Sequence, residues 1–258
     1  MKIAAFFHMK EVRWNLADED VRRIEARFPG VRIVAIEDPA DMLREIVDAD
    51  AFVGFTIPRD VFVAAQRLRW VQSISAGVED NLFAEMKASD VVLTGGTGLH
   101  AVSIPEHVLG QMLVLARNFH EAQRLQAAQQ WNRFQVIVFA AGIVELHGSN
   151  LAILGAGAIG QNLARRAAAL GMHVRVLRRH ATRGLRDVEA VVPPERLAEL
   201  LSWADFVVLA LPLTAETRHI VGEPQFAAMK SAAHLINIGR GELIDDDALV
   251  SALQRGAI

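Results

Sequence analysis

Two stretches of this sequence combine residue types and spacing that can do chemistry. The first is Gly155-Ala156-Gly157-Ala158-Ile159-Gly160, which follows the apolar run Leu151-Ala152-Ile153-Leu154 and opens a helical pattern. In such a bend the first glycine makes the tight turn, the second lets backbone approach a diphosphate, and the third packs helix against strand. Amides at the start of the helix then face the phosphate charge. The spacing alone is a weak signal, and the strand before and helix after make it specific. The reading is a dinucleotide site built on Gly155, Gly157, Ala158, Ile159 and Gly160, with a plain structural turn as the alternative.

The second stretch, Leu177-Arg178-Arg179-His180, bears on which dinucleotide. A site for NAD usually carries Asp or Glu about 20 residues past the glycines, bonded to the ribose 2′-hydroxyl. No acid occurs between Gly160 and Asp187. Arginine can hold a 2′-phosphate instead, through charge-assisted and often bidentate bonds. Arg178 and Arg179 therefore favour NADP over NAD. The competing reading is a solvated strand end.

These residues need a frame, and the apolar patterning supplies one. Strands are expected at 151–154, 173–177, 188–192, 206–211 and 234–238, with a helix over 159–170. A last helix opens at Asp245-Asp246-Asp247, acids that suit a positive helix N-terminus. Leu249, Val250 and Leu253 give it an apolar face, and Gly256 fits its C-cap. Earlier in the chain, strands at 2–7, 31–36, 51–55, 70–73 and 91–93 alternate with helical patterns such as Val21, Ile24 and Phe28, ended by Pro29-Gly30. Such alternation with short connections means parallel sheets covered on both faces, an α/β fold. Between the halves, Ile104, Val108, Met112, Leu115 and Phe119 predict one long helix over about 103–130, with Pro105 in a first turn that tolerates it. For residues 134–150 a strand, a dimer arm and a buried loop all fit.

Composition bounds the rest. The 258 residues are 52% hydrophobic and 22% charged, enough to bury a sizeable core in two domains. With 27 basic against 30 acidic residues the net charge is −3, which argues against a general nucleic-acid or anionic-membrane binder. Cysteine is absent, so disulfides, thiolate metal sites and a cysteine nucleophile are excluded and a reducing compartment fits. The apolar stretch 136–144 falls far short of the roughly 20 residues a membrane-spanning helix needs. The five-residue apolar run at the start is shorter than the roughly 7–15 of a secretory signal. A soluble cytoplasmic protein is the expectation, and no metal site is read.

Taken together, the motifs resemble the D-isomer-specific 2-hydroxyacid dehydrogenases, in particular the glyoxylate/hydroxypyruvate reductase-like branch. The resemblance runs through Trp70-Val71-Gln72-Ser73-Ile74-Ser75-Ala76-Gly77-Val78-Glu79, Pro105-Glu106-His107 to Leu115-Ala116-Arg117, and Glu145-Leu146-His147-Gly148. It continues through the glycine bend, Leu211-Pro212-Leu213-Thr214-Ala215-Glu216-Thr217, Met229-Lys230 and Asn237-Ile238-Gly239-Arg240-Gly241-Glu242-Leu243-Ile244-Asp245. It implies two doubly wound domains, a flavodoxin-like substrate domain over 1–98 and a Rossmann-type coenzyme domain over 99–258. It also implies hydride transfer between NADP or NAD and a small 2-keto or 2-hydroxy acid, and a homodimer. Backbone amides of Ser75, Ala76 and Gly77 would bind the substrate carboxylate, and Arg240 would grip carboxylate and keto oxygen together. Leu211, Pro212, Thr217, Ile238 and Gly239 would border the coenzyme, although a simple turn also explains Pro212 and Thr217. Glu106 and Arg117 read as helix-anchoring contacts.

The resemblance also implies a proton-donating histidine with a glutamate partner. None of the nine histidines (His8, His100, His107, His120, His147, His173, His180, His219, His234) lies in a matching motif. His100 and His107 read as helix-start or packing residues. The expectation is therefore a chain truncated at its C-terminus, with five strands of the order 3-2-1-4-5-6 and without the returning helix, an inactive family member being the alternative. Two rivals stay open here: a dinucleotide-binding module without catalysis, and a formate dehydrogenase.

Overall fold

The computed structural model describes residues 1–9, 12–13, 16–139, 142–179 and 185–258. It divides into two compact units, Met1–Leu99 and His100–Ile258. His180 and residues 140–141, which the sequence reading touched, lie outside the described residues.

In the first unit five parallel strands, β1 (Lys2–Phe6), β4 (Arg32–Ala35), β5 (Ala51–Gly54), β6 (Trp70–Ser73) and β7 (Val92–Thr94), take the order β4-β1-β5-β6-β7. Counted among themselves this is 2-1-3-4-5, the flavodoxin-like order. A small antiparallel ribbon, β2 (His8–Met9) with β3 (Val12–Arg13), follows β1. Helices α1 (Asp18–Arg27), α2 (Met42–Ile46), α3 (Arg59–Ala64) and α4 (Ala84–Lys87) fill the connections. Met42, Ile46, Val61, Phe62 and Met86 from the last three helices pack on Ala4, Phe52 and Val71 of the strands. The α1 pattern is amphipathic but shallow: none of its residues is buried, and Phe28, expected on its apolar face, lies past its end and exposed.

The second unit opens with α5 (Ser103–Ala116), α6 (Phe119–Ala127) and α7 (Arg133–Val138). Its parallel sheet, β8 (Asn150–Leu154), β9 (His173–Leu177), β10 (Ala190–Val192), β11 (Phe206–Leu209) and β12 (His234–Asn237), has the order β10-β9-β8-β11-β12, or 3-2-1-4-5. Helices α8 (Ala158–Ala169), α9 (Leu197–Trp203), α10 (Glu223–Ala228) and α11 (Asp246–Gln254) complete it. Because side chains alternate along a strand, β8 sends Leu151 and Ile153 to one face and Ala152 and Leu154 to the other. The first face packs on Val108 and Met112 of α5 and Leu163 of α8, the second on Leu200 and Leu201 of α9 and Phe226 of α10. Each fully buried Leu or Ile of this kind contributes about 1.5–3 kcal/mol. Burial on both faces explains why these strands read as unbroken apolar runs. Asp245 caps α11 by accepting from the Ala248 amide at 3.0 Å, and Gly256 ends it at φ +62°, as the sequence predicts.

The largest departure from the sequence pattern lies between residues 103 and 150. The expected long helix breaks at Asn118, which sits in the left-handed region at φ +53° and is 3% exposed. Its side-chain amide donates to the Val136 and Phe139 carbonyls at 2.9 and 3.1 Å. These bonds compensate the break and draw the following chain back. That chain begins as helix α7, which is neither the strand nor the buried loop that the sequence allows: Phe134 and Val138 are 64% and 69% exposed. Among the described residues no helix is long and apolar enough to cross a membrane.

Candidate active site

The glycine bend has the geometry its sequence demands. Gly155 lies at φ +117°, where a Cβ would stand 2.5 Å from the Ala210 carbonyl oxygen. A Cβ on Gly160 would stand 2.0 Å from the Gly155 carbonyl oxygen. Neither position admits another residue without movement of backbone. Gly157 is the opposite case, with nothing within 4 Å of where its Cβ would be. That open space, at the N-cap of a 12-residue helix, is what a diphosphate needs to reach the backbone. The first turn of α8 holds no acid, and the amides of Ala158, Ile159 and Gly160 have no acceptor within the helix. Gln161, which the sequence reading passed over, pins the bend by donating from Nε2 to the Ala156 carbonyl at 2.7 Å.

Neighbouring strands place the other candidates around this bend. The Gly155 amide donates to the Leu177 carbonyl at 3.1 Å, which fixes the end of β9 beside it. Beyond that end Arg178 is half-buried and Arg179 exposed, and Arg179 Nη2 lies 3.8 Å from Glu216 Oε2. After β11, Leu211 is half-buried and Pro212 exposed, while Thr217 is buried. Thr217 Oγ1 donates to the Pro212 carbonyl at 2.7 Å and accepts from the Thr214 amide at 2.8 Å. The Thr217 hydroxyl is thus used inside the loop, where it holds Leu211 and Pro212 in place.

After β12 the turn carrying Arg240 packs on the same strand end. A Cβ on Gly239 would stand 2.9 Å from the Leu211 carbonyl oxygen, just as one on Gly155 would meet Ala210. The Ile238 amide donates to the Leu209 carbonyl at 3.1 Å. Asn237 shapes the turn from both sides: its Oδ1 accepts from the Gly239 amide at 2.9 Å and its Nδ2 donates to the Arg240 carbonyl at 2.8 Å. Arg240 itself is exposed, with Nη1 donating to the Gly239 carbonyl at 3.1 Å.

In the first unit the loop after β6 offers amides of its own. The Ser75 amide already donates to Ser73 Oγ at 3.2 Å, while its carbonyl accepts from the Gly96 amide at 2.8 Å. Ala76 and Gly77 follow, with backbone amides that donate to no protein acceptor among the described residues. Two buried polar residues hold this loop, and no sequence motif announces their role. Ser73 Oγ donates to the Phe55 carbonyl at 2.9 Å, and Asn81 Oδ1 accepts from the Ile57 amide at 2.9 Å. Both are 1% exposed. His107, by contrast, only meets the Gln111 side-chain amide at 3.2 Å on the surface of α5.

An open bend, an arginine pair and a third arginine thus gather at one end of the second sheet. Residues 109–258 match the family of the D-isomer specific 2-hydroxyacid dehydrogenase, NAD binding domain. The chain belongs to the D-isomer specific 2-hydroxyacid dehydrogenases. Glyoxylate/hydroxypyruvate reductase B of Salmonella typhimurium is 34% identical over 250 residues, 95% of this chain and 76% of the reductase. D-3-phosphoglycerate dehydrogenase of Methanocaldococcus jannaschii is 33% identical over 244 residues, 93% of this chain but only 45% of that enzyme. A family protein of known structure from Aeromonas salmonicida superposes with a TM-score of 0.84 at 28% identity, covering 99% of this chain and 78% of the other. The family consists of nicotinamide-dependent oxidoreductases of hydroxy acids, and this chain shares its α/β architecture in both units.

Proposed function

We propose that this protein reduces a small 2-keto acid of the glyoxylate or hydroxypyruvate type, with NADPH preferred over NADH. On this reading residues 1–98 bind the substrate and residues 99–258 the coenzyme. The observation that carries it is the shared strand end: Gly155 packs against Ala210 and Gly239 against Leu211, so the bend and the turn carrying Arg240 both lie at the end of β11. That is the carboxyl end of the strands, where such sheets bind ligands.

Gly155, Gly157, Ala158, Ile159 and Gly160 would hold the diphosphate through backbone and helix charge, with Leu211, Pro212, Ile238 and Gly239 alongside. Thr217 keeps that wall in shape. Arg178 and Arg179 would take the 2′-phosphate, and the lack of an acid between Gly160 and Asp187 supports NADP. Bound NADPH supplies the hydride for C2 of the keto acid. Amides of Ala76 and Gly77, with Ser75 as the residue that sets their loop, bind the substrate carboxylate. Arg240 grips the carboxylate and keto oxygens and stabilises negative charge as it develops on the keto oxygen. Protonation of that oxygen falls to another group.

A homodimer is part of the proposal, supported by the exposed apolar side chains Trp131, Phe134, Ile137 and Val138 around α7. The cysteine-free composition supports a cytoplasmic setting. The decisive experiment follows NADPH oxidation on addition of glyoxylate or hydroxypyruvate. Arg240→Ala should lower kcat/KM by about 10²–10³, the usual effect of losing one such charge-stabilising donor, while NADPH binds as before. Equal turnover in the variant, or bound NADPH that no keto acid oxidises, would overturn the catalytic reading.

A further inference from the structure

The rim of the coenzyme bend carries an acid that linear spacing does not reveal. Arg179 follows β9 and Glu216 lies in the loop after β11, yet Nη2 and Oε2 are 3.8 Å apart. Strands β9 and β11 flank β8 on its two sides. The bend at the end of β8 is tied to both, through the Leu177 carbonyl on one side and the close approach of Ala210 on the other. The Arg179–Glu216 pair therefore bridges the end of β8, beside the place where the bend leaves it.

Glu216 is held in this position. Thr214 Oγ1 donates to Glu216 Oε2 at 2.7 Å, and Thr214 is itself fixed by the Thr217 hydroxyl. The Thr214 hydrogen bond above all, then backbone and Arg179, keep the Glu216 carboxyl below its usual range, so it is charged at neutral pH. An acid and a base thus meet where the coenzyme's 2′ position is assigned, although the interval from Gly160 to Asp187 contains no acid.

We propose that Glu216 is a specificity-determining residue that competes with the coenzyme's 2′-phosphate for Arg179. This rests on the coenzyme site proposed above. A phosphomonoester carries about −1.5 to −2 charges at neutral pH, so it must both displace Glu216 from Arg179 and lie near its carboxylate. A 2′-hydroxyl meets no such repulsion and can donate a hydrogen bond to the same oxygens. Glu216 therefore narrows the preference for NADPH that Arg178 and Arg179 create.

The test is calorimetric titration of the full chain with NADPH and with NADH, in wild type, Glu216→Gln, Arg179→Gln and the double variant. Glutamine keeps an acceptor for Thr214 and removes the charge. Glu216→Gln should tighten NADPH about three- to tenfold, the scale of one screened unit charge a few ångströms away, and leave NADH unchanged or slightly weaker. The gain should be smaller when Arg179 is already Gln, because only the direct repulsion then remains, and it should shrink at high salt. If both coenzymes bind and Glu216→Gln shifts them equally or not at all, the inference is overturned while the coenzyme site stands. If wild type binds neither coenzyme, the site fails and the inference with it.

Discussion

Each of the two parallel sheets ends in a loop that offers backbone amides, and the two loops are built by different means. The bend at Gly155–Gly160 is shaped by missing side chains: two glycines permit close backbone approaches that a Cβ, standing 2.5 and 2.0 Å from a carbonyl oxygen, would block, and a third leaves the cradle open. A long helix behind it adds a positive end. The loop at Ser73–Gly77 is followed only by a 3-10 turn, Glu79–Asn81, and is shaped by side chains instead. Buried Ser73 and Asn81 tie the two ends of this loop to Phe55 and Ile57 in the segment after β5, and Ser73 also accepts from the Ser75 amide. Glycine fixes a cradle through what the backbone can reach, whereas a buried polar side chain fixes one through what the backbone must bond.

The largest effect should come from filling the first cradle at its packed glycine. Gly160→Val forces a Cβ into the Gly155 carbonyl, and overpacking against backbone in this way costs about 3 kcal/mol, the upper end of the usual range. Thermal unfolding should show a marked fall in Tm together with loss of coenzyme binding. The matching change in the other loop is Asn81→Ala, which orphans the buried Ile57 amide. That costs about 1–3 kcal/mol, and steady-state kinetics should show KM for the keto acid raised with coenzyme affinity unchanged. If Asn81→Ala weakens NADPH as much as it weakens substrate, the two loops do not have separate tasks. Asn237→Ala removes two hydrogen bonds of the partly exposed Arg240 turn and should cost about 1 kcal/mol. It should lower kcat with little change in coenzyme affinity, and Asn237→Asp, which keeps the acceptor for the Gly239 amide, should restore part of the loss.

The smallest effect concerns the other end of the second sheet. His234, at the start of β12, packs against Phe206, and burial pushes its imidazole below its usual pKa. A group depressed in the folded state binds fewer protons there than in the unfolded chain, so stability is lost as pH falls below about 6.5. Denaturant titrations between neutral and mildly acidic pH should show a shallow decline that His234→Phe reduces, with both loops unaffected.

The contrast also explains what the sequence could disclose. The glycine bend was legible because its requirements are local: three residues, one strand before and one helix after. The parallel strands were legible as unbroken apolar runs such as Phe206–Leu209, whereas their order came only with the family resemblance. The supporting polar residues were not legible, because their partners are remote. Asn81 bonds an amide 24 residues away, and Asn118 bonds carbonyls 18 and 21 residues on. Asn118 was the costliest miss, since the apolar spacing runs on through Phe119 and hides a break that only a left-handed residue reveals. Glu121 is similar: 2% exposed, it accepts from Arg124 and from Gln135 and so ties α6 to α7, yet in sequence it is one more surface-type acid. Arg179 was read alone because Glu216 reaches it only through the fold.

Gly157 offers the most direct test of the claim that this bend holds a pyridine dinucleotide. Its Cβ position is empty and its φ of −72° suits any residue, so Gly157→Val should fold, at a cost of about 1 kcal/mol for a poorer N-cap. Calorimetry should find NADPH bound by the wild type and at least about a hundredfold weaker binding by the variant, as expected when a side chain occupies the diphosphate's approach, with Tm nearly unchanged. Equal affinity in the two proteins, or no affinity for NADPH or NADH in folded wild type, would contradict the account.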